Sequence, residues 1–276
     1  MKVSERAARA ALAQFFSPAD LAADLSAAPP AEVWEKRLQG DRTGRLTAHR
    51  PHAHLSTAEM TCKYLIPSDP EWPQTLTALG PACPLGIWVS GSKHLPHLLR
   101  SPVAVLGNRA ASPRGLERAE AFAAALARAG HTVTATLAYG VDSTAHRAAH
   151  LEAPSLAVLP RGLDRCFPEG SSPLMRSITA HDGAVVSLIP PGTVATGRSL
   201  RAAITLCTAL SRAVVLVEAL DHSTVMESIR STDALGRRVF SPPAEAGDLV
   251  GTGNAHLIST GRATVTVTPA DLLSQL

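Results

Sequence analysis

The chain has 276 residues, enough for one large domain or two of ordinary size. With 45% hydrophobic and 18% charged residues, the composition excludes a disordered chain and indicates a globular protein with a substantial core. A net charge of +3 excludes a polybasic nucleic-acid binder, and 4% aromatic residues leave few rings for recognising a ligand by stacking.

The sequence also predicts a cytoplasmic location. No apolar run reaches the roughly 18 residues of a membrane span, and the N-terminal segment MKVSERAARAALAQFF has too short an apolar stretch for a secretory signal. The four cysteines (Cys62, Cys83, Cys166 and Cys207) are scattered and form no C-x-x-C pair. This spacing argues against a zinc knuckle and a disulfide framework, and it fits a reducing compartment. We therefore expect no metal and no membrane association.

Residues 1–57 are predicted to form a small N-terminal helical module followed by a linker. Apolar residues recur at helical spacing over residues 4–38, with Ser17-Pro18 and Pro29-Pro30 marking new helix starts. The polar segment 39–57 contains the cluster HRPHAH, whose three histidines could suggest a metal site. No Cys, Asp or Glu stands at ligand spacing beside them, so a solvated linker is the preferred interpretation.

Residues 58–276 are predicted to form a Rossmann-like, doubly wound α/β domain with a mainly parallel sheet. From residue 103 onwards, short apolar runs alternate with amphipathic segments. Runs such as VAVL and VVLV are continuously apolar, as expected of strands buried on both faces. The predicted strands are residues 103–106, 131–137, 155–159, 184–188, 213–217, 238–240 and 263–267. The predicted helices are residues 114–129, 143–151, 172–181, 199–211, 223–235 and 269–276.

The first candidate site is the turn GNRAASPRG, which follows the strand at 103–106. Gly107 allows the backbone to turn sharply and approach an anion, while Ser112 and Pro113 suit the start of the next helix. Free N–H groups at a helix start favour phosphate, and Arg109 and Arg114 flank the turn. The turn matches neither the dinucleotide fingerprint nor the P-loop, so an ordinary strand–helix turn with incidental arginines remains the alternative.

Charge is distributed unevenly along the chain. Residues 101–212 contain eleven arginines against seven acidic residues, whereas residues 221–276 contain four against six. A phosphate-binding face requires such a surplus, although a generally arginine-rich surface would also produce it.

The second candidate site lies in LAYGVDSTAHRAA, after the strand at 131–137. Gly140 permits a turn, Asp142 is placed to cap the next helix, and His146 lies one helical turn further on the same face. The two could form an acid–base pair, but a capping aspartate and a histidine that anchors a neighbouring loop are the alternative. No serine or cysteine nucleophile accompanies them, so catalysis is not predicted.

Six segments in register resemble the DNA-processing protein A family, also called Smf. They are VAVLGNRAASPRG, LAYGVDSTAH, AVLPRGLDRCFPEG, ALSRAVVLVEA, GRRVFSPP and GTGNAHLISTGRA. The similarity begins near Tyr64 and runs to about Ala263. It implies a Rossmann-like domain that binds single-stranded DNA, protects incoming DNA and assists RecA loading in natural transformation. It also implies RecA as a partner, a homodimer, no enzymatic activity and no cofactor.

The resemblance also implies site residues, carried over by matching position. The family's Gly-Ser-Arg phosphate turn corresponds to residues 107–109, its G-I-D-x-x-A-H element to residues 140–146, and its late G-T-N element to a segment that includes Asn254. The residues expected to contact DNA or its phosphates are Gly107, Asn108, Arg109, Ser112, Arg114, Gly140, Asp142, His146, Arg161, Arg198, Arg201 and Asn254.

The chain departs from the family's pattern at an arginine-rich segment, F-P-x-R-N-R. Ala203, Ile204 and Thr205 stand where R-N-R is expected, and Arg198 and Arg201 lie upstream as partial substitutes. Loss of two phosphate-binding arginines is expected to weaken DNA affinity and lower its salt dependence. The family's S-G before the G-x-A-x-G-I-D element is Ala135-Thr136 here. From the end of the sequence at residue 276 we expect no C-terminal winged-helix domain of the kind that some relatives have.

Three hypotheses follow. The first is a non-enzymatic binder of single-stranded DNA that contacts mainly the backbone, with weak sequence preference. The second is a scaffold of the same fold that has lost DNA binding, as the missing R-N-R suggests. The third is an enzyme or sensor acting on a nucleotide, against which stands the absence of a P-G-G-x-G-T-x-x-E loop.

Overall fold

A computed structural model describes residues 3–91, 95–231, 235–245 and 247–276. Within these ranges the strands are β1 (Lys63–Leu65), β2 (Ile87–Gly91), β3 (Pro102–Gly107), β4 (Thr132–Thr136), β5 (Leu156–Leu159), β6 (Ala184–Ser187), β7 (Ala213–Glu218), β8 (Arg238–Ser241) and β9 (Thr264–Val265). They form one sheet in the order β1-β2-β6-β5-β4-β3-β7-β8-β9.

Helices precede, connect and follow these strands. They are α1 (Glu5–Phe15), α2 (Pro18–Ala27), α3 (Pro30–Gln39), α4 (Pro51–Glu59), α5 (Leu95–Leu98), α6 (Pro113–Arg128), α7 (Val141–His150), α8 (Ser172–Ala180), α9 (Gly197–Leu210), α10 (Thr224–Ser231), α11 (Thr252–Ser259) and α12 (Pro269–Gln275). Of the helix predicted at 223–235, residues 232–234 lie outside the described ranges. No helix in the described part of the chain is long and apolar enough to cross a membrane.

The predicted doubly wound α/β fold is confirmed. All pairings among strands β3 to β9 are parallel. Strands β1 and β2 were not predicted, and they extend the sheet in antiparallel fashion beyond β6. They lie before residue 103, where the regular alternation of apolar runs and amphipathic segments begins, so no such pattern marks them.

Alternation along β3 explains how the sheet is covered on both faces. Val103 and Val105 pack with α6, where Phe122 is buried, whereas Ala104 and Leu106 belong to the core on the other face, which α9 covers. Successive side chains of a strand point to opposite faces, so an all-apolar strand requires helices on both sides.

The strand order creates a topological switch point between β3 and β7. From β3 the chain adds β4, β5 and β6 on one side, and then crosses to β7, β8 and β9 on the other. The loops that leave two such strands diverge, and a crevice opens at the carboxyl ends of the strands. Here the crevice lies between the loop after β3 and the loop after β7.

Part of the segment predicted as a solvated linker, residues 39–57, is helical and packed. Pro51 opens α4, because proline is well suited to the first helical position. His49 is buried against Phe15 and Trp34, with ring centroids 5.2 and 5.7 Å apart, and its burial lowers the pKa of the imidazole to about 4. Leu55 shares a core cluster with residues of the sheet. The predicted domain boundary at 57/58 falls within α4, and the division into two domains stays a prediction.

Candidate nucleic-acid interface

A pocket of about 480 Å³ occupies the crevice at the carboxyl ends of the strands. We call it the switch-point pocket. It is lined by the turn at residues 107–110 after β3, by the loop at residues 220 and 222–225 after β7, by Thr136 and Asp142, and by an apolar wall from α9 and residues 167–168. The position is the one that open α/β sheets use for ligands.

Gly107 is required by the close packing at the floor of this pocket. A Cβ at this position would lie 2.6 Å from Val141 Cγ2 and 2.8 Å from the carbonyl oxygen of Glu218. The Gly107 N–H donates to Asp142 Oδ1 at 3.3 Å. Asp142 Oδ2 accepts from the N–H and the hydroxyl of Thr136 at 3.1 and 2.5 Å. Asp142 therefore ties the ends of β3 and β4 together.

Gly140 brings the second predicted turn against the first. Its φ is 79°, a left-handed conformation that favours glycine, and a Cβ there would lie 2.3 Å from the carbonyl oxygen of Asn108. The N–H of Val141 donates to the same oxygen at 3.2 Å. The two turns predicted as separate candidate sites are thus one packed unit.

Glu218, which the sequence analysis missed as a functional residue, occupies the N-terminus of α6. Its Oε1 accepts from the Ser112 N–H and from Asn108 Nδ2, each at 3.1 Å, and its Oε2 accepts from the Ser112 hydroxyl. Ser112 caps α6 as predicted, since its Oγ accepts from the N–H of Gly115. An internal carboxylate therefore already fills the anion position at this helix start, which argues against the predicted phosphate contact by Ser112. A lone acidic residue at the end of the apolar run VVLVE was the available signal.

The outer part of the turn remains open to a ligand. The backbone N–H groups of Arg109 and Ala110 have no acceptor among the described residues, and both residues are exposed. The Arg109 guanidinium lies 5.4 Å from the ring centroid of Tyr139, which is itself 43% exposed. Arg114 is exposed and forms an ion pair with Glu245. Cations and N–H donors here suit a phosphate.

Three predicted site residues are buried and fully engaged in internal contacts. His146 has no exposed surface, and its ring nitrogens lie 3.0 Å from Ser155 Oγ and 3.2 Å from the Ala135 carbonyl oxygen. Burial lowers the pKa of His146 to about 4 and raises the pKa of Asp142 to about 7. Asp142 lies in the first turn of α7 and hydrogen-bonds to β3 and β4, while His146 bonds elsewhere, so the possible acid–base pair is not formed.

Asn254 is the third of these buried residues. Its amide nitrogen donates to two carbonyl oxygens of β7 at 2.9 and 3.1 Å and to Ser241 Oγ at 2.8 Å, and its Oδ1 accepts from the N–H of Ala219 at 2.8 Å. Its exposed fraction is 1%. Asp142, His146 and Asn254 therefore connect the elements around the pocket, and their internal hydrogen bonds argue against a direct phosphate contact by their side chains.

The remaining arginines do not converge on the switch-point pocket. Arg198 is exposed and lines a separate pocket of about 310 Å³ between the start of α9 and residues 13–18. Arg201 is exposed and does not line the switch-point pocket. Arg161 is half-buried next to Pro160, which does line it. Of the predicted arginines, the structure brings only Arg109 to the lining of this pocket.

The wall opposite the turn is apolar. Leu200, Ala203 and Ile204 follow the i, i+3, i+4 spacing of one helix face and line the pocket together. Ala203 and Ile204 occupy positions where the family resemblance implies R-N-R. At the pocket itself, Ala203 thus stands in place of an arginine and Ile204 in place of an asparagine, so one cation and one amide are replaced by hydrocarbon.

Similarity to known proteins identifies the family to which the chain belongs. A family model described as DNA recombination-mediator protein A matches residues 63–276. The chain belongs to this family. It is 33% identical over 225 residues to protein Smf of Escherichia coli K12, covering 80% of this chain and 59% of Smf. The family member thus spans about three fifths of the length of that relative.

Two solved structures of the family share the fold. The X-ray structure of DNA processing protein A from Streptococcus pneumoniae matches with a TM-score of 0.79 and 26% identity, covering 100% of this chain and 99% of that one. The protein A of Helicobacter pylori, described for its single-stranded DNA binding mode, matches with a TM-score of 0.67 and 23% identity, covering 77% and 95%. The family resemblance and the Rossmann-like fold predicted from the sequence are confirmed.

Proposed function

We propose that this family member binds single-stranded DNA at the rim of the switch-point pocket. The observation that supports this most directly is the exposed Arg109, which stands beside two backbone N–H groups without acceptors at the carboxyl ends of a parallel sheet. The H. pylori relative is described as binding single-stranded DNA. In the proposed complex a phosphate lies on the Arg109–Ala110 turn.

Tyr139 supplies a second element of the proposed interface. It is one of two tyrosines in the chain, it is 43% exposed, and it lies beneath the Arg109 guanidinium. Exposed rings next to phosphate-binding cations are a common arrangement in single-strand binding, because every base offers a π-face to stack on. Tyr139 is not among the site residues predicted from the sequence.

The electrostatics indicate a weak binder. Glu218 places a carboxylate at the start of α6, Arg114 is paired with Glu245, and the α9 wall contains no cation. Few phosphate contacts give a shallow dependence of affinity on salt. We propose that binding is mainly to the backbone and does not depend strongly on sequence.

The finer parts of the hypothesis are also proposals. The protein would protect incoming DNA and assist RecA loading, act as a homodimer, and have no catalytic activity. The last point is supported by Asp142 and His146, which are buried and hydrogen-bond to different groups.

Fluorescence anisotropy with a labelled oligonucleotide over a salt series tests DNA binding. We expect Arg109→Glu to weaken binding by about tenfold at low salt and to reduce the salt slope by about 1, because one phosphate contact is lost. Arg128→Glu is the matched control, since Arg128 is exposed at the far end of the 16-residue α6, roughly 24 Å away along the helix. Equal retention by both variants would rule out the Arg109 turn as the DNA site.

A scaffold without DNA binding is the second candidate, and the apolar wall of Ala203 and Ile204 favours it. Absence of any anisotropy change for the unaltered chain at low salt, together with capture of RecA by the immobilised protein, would support the scaffold and contradict DNA binding.

A further inference from the structure

We propose that the switch-point pocket binds a free nucleoside 5′-monophosphate, with the phosphate between the loops after β3 and β7 and the base against the apolar wall of α9. This inference goes beyond DNA binding, since it concerns a small ligand that is not part of a strand and that also contacts the loop after β7 and the α9 wall.

The size and position of the pocket suit a small molecule. Its volume of about 480 Å³ lies within the range of roughly 300–1,000 Å³ that is usual for ligand sites. The pocket also lies at the switch point of the sheet, where both flanking loops present backbone donors to one ligand.

The phosphate end of the site is formed by donors from both loops. Besides the N–H groups of Arg109 and Ala110, those of Thr224 and Val225 at the start of α10 have no acceptor in the described part of the chain. Ser223 satisfies the next two N–H groups of this helix, through its hydroxyl and its carbonyl oxygen. All four residues with open donors line the pocket. Together they offer an anion two sets of hydrogen bonds.

Asn108 holds these two loops in a fixed relation. Its Oδ1 accepts from the N–H of Leu220 at 3.2 Å, and its Nδ2 donates to Glu218 and to the carbonyl oxygen of Val250, each at 3.1 Å. Asn108 is 8% exposed. A rigid link between the loops lowers the ordering cost of binding a ligand between them.

The opposite end of the pocket suits a base. Leu200, Ala203, Ile204 and Phe167 line it without a charged group. Among the described residues, Asp142 is the one that lines the pocket with a carboxyl group, and hydrogen bonds from Gly107 and Thr136 occupy both of its oxygens. A simple anion would leave the apolar wall uncovered, and an uncharged apolar ligand would leave the backbone donors unpaired. A ligand with an anion at one end and a flat apolar ring at the other satisfies both.

The test measures the melting temperature of the full chain with separate millimolar additions of adenosine 5′-monophosphate, thymidine 5′-monophosphate, adenosine and inorganic phosphate. We expect at least one monophosphate to raise the melting temperature by about 2 °C or more, and adenosine or phosphate alone to raise it by less. Equilibrium dialysis with the same compounds gives the affinities. No shift with either monophosphate, or an equal shift with inorganic phosphate, overturns the proposal.

Two variants locate the binding within the pocket. Leu200→Trp fills the mouth, and we expect it to weaken monophosphate binding at least tenfold, while Leu151→Trp, at a position 84% exposed and outside the pocket, leaves it unchanged. Thr224→Glu places a carboxylate at the start of α10, which is compatible with the helix dipole but repels a phosphate. If Leu200→Trp does not fold, this second variant decides the matter. Retained affinity in a folded variant of either kind overturns the proposal.

DNA binding and monophosphate binding can be tested separately. Monophosphate binding without oligonucleotide binding contradicts the proposed function and leaves this inference intact. Oligonucleotide binding without monophosphate binding does the reverse.

Discussion

The carboxylate of Glu218 hydrogen-bonds to both the backbone N–H and the hydroxyl of Ser112, although the two residues are 106 positions apart. This contact joins the end of β7 to the start of α6 across the switch point. It also neutralises the positive end of the α6 dipole at the place where a phosphate was expected. The relationship has consequences for both DNA affinity and stability.

Glu218→Gln should increase affinity for single-stranded DNA by a few fold and lower the free energy of unfolding by about 1–2 kcal/mol. The charge that repels phosphate disappears, but so does a favourable charge at the helix start, and a hydrogen bond to Ser112 is weakened. Anisotropy and urea unfolding measure the two effects. Glu117→Gln, at an exposed position of α6, serves as the control. A Glu218 variant that behaves like this control in both assays would show that the carboxylate has no electrostatic effect on the site.

Asp142 should make stability fall as pH rises between about 4 and 7. Burial raises the pKa of this carboxyl from 3.8 to about 7, so over that interval the folded state binds more protons than the unfolded state. The stabilisation that this group contributes is fully present at pH values below its pKa in the unfolded state. It is lost as the pH rises to its pKa in the folded state, with a slope of up to about 1.4 kcal/mol per pH unit.

The contribution of Asp142 can be isolated with Asp142→Asn. His49 and His146 act in the opposite direction, because burial lowers the pKa of each to about 4 and stability from them rises as pH increases from about 4 to 6.5. Their contribution is common to the variant and the unaltered protein, so it cancels in the difference between the two. We expect urea unfolding to show the variant gaining stability relative to the unaltered protein from pH 5 to pH 7.5. A difference that is constant with pH would show that Asp142 is ionised throughout.

Leu200→Arg should raise DNA affinity and steepen its salt dependence by a log–log slope of about 1. Leu200 is 37% exposed at the mouth of the pocket, so an arginine there can reach solvent and supply the positive charge that is missing at Ala203. Leu151→Arg, at an exposed position outside the pocket, adds the same charge and controls for net charge. Equal gains from both variants would mean that the α9 wall does not face the bound strand.

Tyr139→Leu should weaken oligonucleotide binding by about tenfold, because base stacking on an aromatic ring contributes roughly 1–3 kcal/mol per base. The ring is exposed, so the melting temperature should change little. Anisotropy at high salt is the most informative measurement, since stacking persists when the phosphate contacts are screened. Unaltered affinity under those conditions would place the bases away from Tyr139.

Local patterns were sufficient to predict most of the sheet and one turn of the site. Parallel strands β3 to β8 stand out as apolar runs, and the N-terminal cap of α6 by Ser112 was predicted from two neighbouring residues. Strand periodicity and helix capping depend on residues a few positions apart, so the sequence displays them directly. The antiparallel strands β1 and β2 escaped notice because their pairing joins segments that carry no strong pattern of their own.

Local sequence patterns could not show which polar residues of the site are exposed to a ligand and which are buried. Asn254, His146 and Asp142 look like ligand-binding residues in the sequence, yet each is buried with its polar atoms paired. The sequence does not distinguish a polar side chain that faces solvent from one that hydrogen-bonds to a buried carbonyl group. Only the packing of distant strands decides which partner the side chain has.

The amino-acid sequence by itself therefore determined the alternation of strands and helices, the sharp turn at Gly107 and the surplus of arginine in the central segment. The tertiary structure alone decided that Glu218 fills the start of α6, that Arg109 remains open, and that Ala203 and Ile204 form an apolar wall facing that turn. The physical reason is the order of the strands. It brings the ends of β3 and β7 side by side, so that Ser112 and Glu218, which are 106 positions apart, hydrogen-bond to each other.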